Sequence, residues 1–223
     1  MNDIYEKTML AVFVMALLVV IYAMYDTWFV FDRAGDDSFL RFKPDQVNAD
    51  TIDESPISSD MVGWITIFDT NIDYPVMQGA TNTDYLNLNP YGEYSLSGSI
   101  FLDSRNSSDF SDSYSIIYGH HMEYGAMFGA LDEYLDDSYL RSHDRGELLV
   151  GRDGKTRYGL KIFYAMTADA KDEKVFSTDR SEELFRFLEE QGLSTDGRIL
   201  CLSTCASADS TTRTVVFAYI LEN

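Results

Sequence analysis

A series of short β-type runs fills the chain from Met61 onward and limits the folds that this sequence can adopt. Many of these runs are rich in valine, isoleucine, tyrosine and phenylalanine, and turn-forming residues separate each run from the next. The runs are VGWITIF, DYPVMQG, GSIFLD, YSIIYGH, GELLVG, YGLKIFYAMT, RILCLSTC and TRTVVFAYIL. About eight strands of this length predict a mainly β domain over residues 61–223, a closed or nearly closed antiparallel barrel.

Two segments interrupt the β pattern with helical spacing and predict peripheral helices. The first is GAMFGALDEYLDDSYLRSH, after the YSIIYGH strand, in which one predicted face carries Met127, Leu131, Tyr134 and Leu135. The second lies at about residues 179–191, directly before RILCLSTC. Asp179 is its predicted cap, with Glu182 three positions later, and Gly192 ends it.

An uncharged apolar run, MLAVFVMALLVVIYAMY at residues 9–25, predicts one membrane-spanning helix. With TWFVF the apolar stretch is about 20 residues long, enough to cross a hydrocarbon core of roughly 30 Å. A cleavable signal peptide is the alternative, but the run is long for one and no small-x-small cleavage site follows. We therefore predict a short cytoplasmic tail and anchor over residues 1–32, with the acidic bulk of the chain at the extracellular face of the cell membrane.

Residues 33–60 are polar, contain two prolines, and predict a stalk that merges into one or two short helices against the main domain. The whole chain has 37 acidic and 17 basic residues, a formal net charge of −20. Nucleic-acid binding needs a basic surface that displaces counterions from phosphates, so this charge argues against it. The acidity is typical of a well-solvated surface.

The two cysteines, Cys201 and Cys205, lie four positions apart in RILCLSTC. In a strand this separation is about 13 Å at about 3.3 Å per residue. A disulfide requires Cα atoms within about 7 Å, so the two cysteines cannot pair with each other or share one zinc ion. Cys201 is then interpreted as core packing, while Cys205 is either a small buried residue or a reactive thiol.

A cysteine nucleophile needs a base or a cation beside it, because only the thiolate is reactive. His120 and His121 end the YSIIYGH run, and since neighbours in a strand point to opposite faces, at most one of them faces a given site. Arg213 lies eight residues after Cys205, across a hairpin-like connection. A guanidinium there can lower the pKa of the thiol or bind an oxyanion. Each of these residues, taken alone, also has a purely structural explanation.

Taken together, three patterns resemble a sortase of class B: GSIFLDSRN, YSIIYGHHM followed by MFGALDEYL, and ILCLSTC followed by an arginine before TVVFAYI. The stretch VGWITIFDTNIDYPVMQGATNTDYLNL is similar to the opening strands and substrate-groove segment of that class. A helix directly before the cysteine strand is also a class B feature. The resemblance covers the chain from about Met61 to Leu221 and implies the sortase barrel fold.

Matched position by position, the resemblance implies that Cys205 is the nucleophile, His120 the general acid and base, and Arg213 the oxyanion-binding or substrate-orienting residue. It also implies a sorting-signal groove that includes Asn82, Leu86 and Ser203. The chemistry of the family requires no metal and no organic cofactor.

The implied activity is transpeptidation: a sorting signal like LPXTG or NPQTN is cleaved after its threonine through a thioester, and the protein is transferred to an amine of the cell-wall precursor. The expected partners are a surface protein or pilin with that signal, the amine acceptor and, through the N-terminal helix, the membrane of a Gram-positive bacterium. The alternatives are a class B sortase that polymerises pilins through a lysine amine, a cysteine protease, and a non-catalytic surface-binding domain. We favour wall anchoring.

Overall fold

The computed structural model describes residues 2–34, 38–44, 55–122, 125–205 and 211–222, without the side chains of residues 2, 26–34, 180 and 205. The chain divides into two compact units, Met1–Asp36 and Asp37–Asn223. The first unit is a single helix, α1, over Asn2–Ala34. Within it, Asp3–Tyr25 is long and apolar enough to cross a membrane, with a mean hydropathy of 2.4.

The second unit is built on eight strands that close into a barrel, and all eight predicted runs form strands. The strands are β1 Met61–Ile67, β2 Asp73–Met77, β3 Ile100–Leu102, β4 Tyr114–His120, β5 Arg145–Val150, β6 Thr156–Asp169, β7 Arg198–Cys205 and β8 Thr212–Glu222. Their order around the barrel is β1-β2-β3-β4-β7-β8-β6-β5.

The predicted closed barrel is confirmed, but it is mixed and not antiparallel, because two neighbouring pairs are parallel. β2 pairs with β3 in parallel, Val76 opposite Ile100, and β4 pairs with β7 in parallel along its whole length. Parallel neighbours cannot be joined by a tight hairpin and need a long crossover. Between β4 and β7 the chain therefore forms β5, β6 and most of the helical segments before it returns beside β4.

The first predicted helix is two short elements, a 3-10 helix over Gly129–Leu135 and helix α2 over Asp137–Ser142. Met127 precedes them with a left-handed φ of 53°, so it is outside any helix. Leu131 and Tyr134 are buried, whereas Leu135 is 48% exposed, so the four residues do not share one face as predicted. The break falls at Asp136, whose carboxylate accepts hydrogen bonds from the first backbone N–H groups of α2 and caps it.

The second predicted helix is confirmed as α4, Ser181–Glu190, and a short helix, α3, Glu173–Phe176, precedes it. Asp179 lies inside a 3-10 turn that leads into α4 instead of capping it. Gly192 follows the helix with a φ of +78°, a left-handed conformation that favours glycine at a helix C-terminus.

Side chains of the strands alternate between two hydrophobic clusters, as the two-residue period of a strand requires. The outer cluster contains Ile199 and Cys201 of β7 and is covered by Leu184 and Leu188 of α4. The inner cluster fills the barrel and contains the alternate residues, such as Leu202. The 3-10 helix Gly129–Leu135 also packs into the inner cluster and contacts β6, β7 and β8.

Part of the predicted stalk packs on the barrel. A 3-10 helix over Ser38–Phe42 buries Phe39, whose ring centroid lies 5.9 Å from that of Trp64. The buried ammonium of Lys43 lies 2.9 Å from Oδ1 of Asp73. Residues 45–54 lie outside the described residues, and the boundary between stalk and catalytic domain stays a prediction.

Gly119 of β4 has no room for a side chain, because a Cβ there would lie 2.7 Å from Cγ of the buried Phe128 and 2.4 Å from Cδ1 of Ile100. We expect Gly119→Ala to lower the free energy of unfolding by about 1–3 kcal/mol through overpacking. Urea unfolding measures the change. Ser115→Ala, in the same strand, adds no atoms and is the control. An unchanged free energy of unfolding in Gly119→Ala would contradict this packing.

Candidate active site

The three residues predicted to carry chemistry lie side by side at the ends of three neighbouring strands. The parallel ladder of β4 and β7 pairs His120 with Cys205. The last pair of the antiparallel β7–β8 ladder is Ser203 with Val215, and extending this register by two residues brings Arg213 opposite Cys205. Because neighbouring strands are about 4.8 Å apart, the three Cα atoms form a row with Cys205 in the middle.

The row belongs to the face of the barrel that carries the outer cluster. Along β4, Tyr118 precedes His120 by two positions and lies in the outer cluster, as does Val215, two positions after Arg213 in β8. In β7 the alternate position Cys201 is in the same cluster. Since residues two apart share a face, positions 120, 205 and 213 continue the outer face to the end of the barrel.

His120 is half-buried, and its Nδ1 atom is buried without a hydrogen-bond partner among the described residues. Burial lowers the pKa of this imidazole, because a low-dielectric environment disfavours the charged form. The neutral imidazole that predominates at neutral pH has a free nitrogen lone pair. His120 can therefore accept a proton before it donates one.

Arg213 is half-buried, and its guanidinium carbon lies 5.3 Å from the centre of the Phe176 ring. A cation at this distance from an aromatic face is attracted by the ring quadrupole, which helps to fix the guanidinium. Its Nε atom is buried and has no partner within the described part of the chain. The guanidinium thus keeps donor capacity for a ligand at the barrel end.

A cleft of about 210 Å³ opens beside Arg213 on the outer face. Its lining residues are Asn82, Leu86, Phe101, Tyr118, Ala170, Phe176 and Arg213. Two of the predicted groove residues, Asn82 and Leu86, are among them. The third, Ser203, is completely buried in β7 and its hydroxyl donates to the carbonyl of Thr204 at 3.1 Å. A role for Ser203 in ligand binding stays a prediction.

An ion pair that the sequence analysis did not single out lies behind this cleft. The carboxylate of Asp103 is completely buried and accepts two hydrogen bonds from the Arg105 guanidinium, from Nε at 2.9 Å and from a terminal nitrogen at 2.7 Å. It also accepts from Asn82 Nδ2 at 2.9 Å and from the Tyr118 hydroxyl at 3.1 Å. Two cleft residues are therefore oriented by one buried carboxylate.

Arg105 reaches a third cleft residue, because it also donates to the backbone carbonyl of Phe176 at 2.8 Å. The amide of Asn82 is fixed at both ends, since its Oδ1 accepts from the backbone N–H of Ser104 at 2.7 Å. Burial alone would raise the pKa of Asp103, but the hydrogen bonds and charge of Arg105 outweigh it, and the pKa is lowered. The carboxylate is thus ionised and holds the cleft wall in one arrangement.

Cys201 matches its predicted role as core packing. Its thiol is free and completely buried in the outer cluster. Burial raises its pKa to about 12, so it stays protonated and unreactive at neutral pH. Within the described residues, no three or more His, Cys, Asp and Glu side chains are grouped to hold a metal ion.

Comparison with known proteins gives a consistent set of matches. The sortase domain family model matches residues 65–221. Sortase B of Listeria monocytogenes is 38% identical over 175 residues, which are 71% of this chain and 70% of that protein. Among solved structures, Spy0129, a class B sortase of Streptococcus pyogenes involved in pilus biogenesis, matches with a TM-score of 0.68 and 35% identity, over 78% of this chain and 98% of that one. The Staphylococcus aureus sortase B–substrate complex matches with a TM-score of 0.67 and 32% identity, over 83% and 88%.

The ion pair between the buried Asp103 carboxylate and the partly exposed Arg105 guanidinium predicts a pH-dependent loss of stability in Arg105→Ala. This change removes the cation from a completely buried carboxylate, and we expect the free energy of unfolding at pH 7 to fall by about 1–2 kcal/mol, less than for a fully buried pair. In the wild type the lowered pKa of Asp103 stabilises the folded protein above about pH 4, which is near the pKa of this group in the unfolded chain. This stabilisation is lost as the pH falls further.

In Arg105→Ala we expect burial to raise the pKa of the Asp103 carboxyl. The carboxyl then becomes protonated as the pH falls, and the neutral form costs less to bury. The difference between variant and wild type should therefore shrink as the pH falls towards 4, and adding Asp103→Asn should restore part of the stability at pH 7. Urea unfolding between pH 4 and 7 measures both effects. A deficit that is the same at every pH would contradict the assignment of the loss to Asp103.

The burial of His120 predicts that its imidazole titrates below 6.5, the ordinary value, in the folded protein. Because the unfolded chain then binds more protons, this group costs stability as the pH falls below about 6.5. Two-dimensional NMR of the imidazole signals across pH 4 to 8, assigned with His120→Gln, measures the midpoint. A midpoint at or above 6.5 would show that the ring is solvated or paired with an acid.

Proposed function

Because the chain belongs to the sortase family and is a class B cysteine transpeptidase, we propose that Cys205, His120 and Arg213 carry its reaction. The observation that supports this proposal is the strand register, which sets Cys205 between the other two in one row. A nucleophile, a base and a cation in this order provide what acyl transfer through a thiol requires.

In the first half of the reaction, His120 takes the thiol proton of Cys205 and the thiolate attacks the threonine carbonyl of a sorting signal. Arg213 donates hydrogen bonds to the carbonyl oxygen as it becomes negative. The C–N bond then breaks, His120 gives its proton to the departing amine, and a thioester joins the threonine to Cys205. The lowered pKa of His120 supports its first role, because the neutral ring is ready to accept the thiol proton.

In the second half, His120 acts as base towards an acceptor amine. The amine attacks the thioester, an amide forms, and the C–S bond breaks to return the thiol. We propose an amine of the cell-wall precursor as the acceptor, with wall anchoring of a surface protein as the result. Polymerisation of pilins through a lysine amine uses the same three residues and differs only in the acceptor, so the test below includes both amines.

The sorting signal is proposed to bind in the cleft beside Arg213. Leu86, Phe101 and Phe176 give this cleft apolar walls, and Asn82 adds an amide that Asp103 and Ser104 hold in place. Apolar walls with a few fixed polar groups are typical of specific ligand sites. The likeness to a solved Staphylococcus aureus sortase B–substrate complex supports a substrate site in this fold.

We also propose that α1 anchors the protein in the cell membrane, with the barrel at the extracellular face. The support is the length and hydropathy of Asp3–Tyr25. Both reactants of the proposed reaction, an exported protein and a lipid-linked wall precursor, are found at that face. A helix of 23 residues reaches about 35 Å, which matches the hydrocarbon core.

The proposal is tested by trapping the acyl-enzyme. The full chain in detergent micelles is incubated with a library of LPXTG-like and NPQTN-like peptides, and intact-protein and tandem mass spectrometry locate any adduct. We expect an adduct at Cys205 in the wild type and in Cys201→Ala, the matched control, and none in Cys205→Ala. The absence of an adduct with every peptide, or an adduct that persists in Cys205→Ala, would overturn the proposal.

The acceptor is identified in the same reaction by adding oligoglycine, a wall-precursor stem peptide or a pilin lysine peptide. The mass of the amide product shows which amine is used. Transfer to the wall-type amines is the expected result. Transfer only to the pilin lysine would replace wall anchoring with pilin polymerisation, and hydrolysis with every amine would indicate a protease.

A further inference from the structure

Asp132, on the inner side of the barrel end, links the strands that carry the row. It belongs to the 3-10 helix Gly129–Leu135. Its Oδ2 lies 2.7 Å from Nε2 of His121, the residue after His120. Its Oδ1 accepts a hydrogen bond from the hydroxyl of Thr214, the residue after Arg213, at 2.5 Å. One carboxylate therefore connects the end of β4 with the start of β8.

The same chain of hydrogen bonds continues into β7. The backbone N–H of Thr214 donates to the hydroxyl oxygen of Thr204, the residue before Cys205, at 3.0 Å. Thr204 and Thr214 are both buried. Each residue of the row thus has a sequence neighbour in one hydrogen-bonded set, His121–Asp132–Thr214–Thr204, which we call the inner link.

Asp132 is itself held against β4. The backbone N–H of Phe128 donates to the carbonyl of His120 at 3.0 Å, and His121 and Met127 form an isolated antiparallel bridge. Leu131, beside Asp132, is completely buried in the inner cluster. The carboxylate is consequently attached to a packed element that is itself bonded to the end of β4, so it can fix the start of β8 relative to β4.

We propose that Asp132 is a positioning residue for the transpeptidation, acting through Thr214 on Arg213 and Cys205 and through His121 on His120. The inference rests on the proposed roles of those three residues. Strand ends fray unless something fixes them, and a small misplacement of reacting groups lowers the rate steeply. The bond between Asp132 and Thr214 is charge-assisted and reaches a buried hydroxyl, so the inner link is tested at this bond.

The test uses Thr214→Val, which removes the hydroxyl and keeps the shape of the side chain. With the full chain in micelles and the sorting peptide that acylates Cys205, we expect kcat to fall by roughly 10-fold, while KM stays within about twofold because the cleft lies on the other face. Thr214→Ser restores the hydroxyl and should restore kcat. Thr167→Val is the matched control, since Thr167 is the exposed partner of Thr214 in the β6–β8 ladder.

Asp132→Ala should lower kcat at least as much, and the double variant with Thr214→Val should be no slower than Asp132→Ala, because both changes break the same bond. A kcat for Thr214→Val that equals that of Thr167→Val would overturn the proposal. So would a Thr214→Ser variant as slow as Thr214→Val.

A second readout separates this proposal from the proposed function. Amide hydrogen exchange at Cys205 and Arg213 should quicken in Thr214→Val and stay at the wild-type rate in Thr214→Ser and Thr167→Val. If no peptide acylates the wild type, the proposed function fails and the exchange rates alone decide whether the inner link fixes the strand ends. Equal exchange rates in all variants would overturn the inference even in an active enzyme.

Discussion

The parallel pairing of β4 with β7 is the constraint on which the site depends. It sets His120 beside Cys205, and the antiparallel return of β8 then adds Arg213 on the other side. A slip of one residue would move every side chain of a strand to the opposite face. Gly119, directly before His120, packs against Phe128 so closely that β4 has one position in the barrel. The chemistry of the row is therefore a consequence of barrel packing.

Two carboxylates stabilise this end of the barrel from opposite sides. Asp103, completely buried on the outer side, orients the side chains of Asn82 and Tyr118 and, through Arg105, the backbone of Phe176. On the inner side Asp132 joins the ends of β4 and β8. The proposed peptide site and the proposed reacting groups thus have separate supports. Changes to one side should alter peptide binding, and changes to the other should alter turnover.

The strands could be predicted because β-type composition and turn residues are local signals, and each of the eight runs appears in the barrel. The parallel pairing could not be predicted, because it depends on which strand, distant in the sequence, lies beside β4. The segment after Met127 has helical spacing in the sequence, but a left-handed residue and the Asp136 cap divide it into two short elements. Helical spacing alone does not distinguish one continuous helix from two short elements.

Part of the candidate site could also be predicted from the sequence, and part could not. Cys205, His120 and Arg213 occur in recognisable motifs, so their proximity could be expected from the resemblance. The roles of the supporting acids could not be, because they depend on partners that are distant in sequence: Asp103 accepts a hydrogen bond from Asn82, 21 residues away, and Asp132 from a hydroxyl 82 residues away. No local pattern marks an aspartate as part of such a contact. Ser203 is completely buried in β7, and its place in the groove, which the resemblance implied, stays a prediction.

The placement of His120 and Arg213 on either side of Cys205 is tested most directly by a crystal structure of the protein with a sorting-signal peptide trapped covalently on Cys205. We expect the adduct to lie in the cleft beside Arg213, with His120 on one side of the sulfur. On the other side, the guanidinium should lie within hydrogen-bond distance of the threonine carbonyl oxygen. A structure in which His121 faces the adduct, or in which Arg213 points away from the carbonyl oxygen, would contradict it.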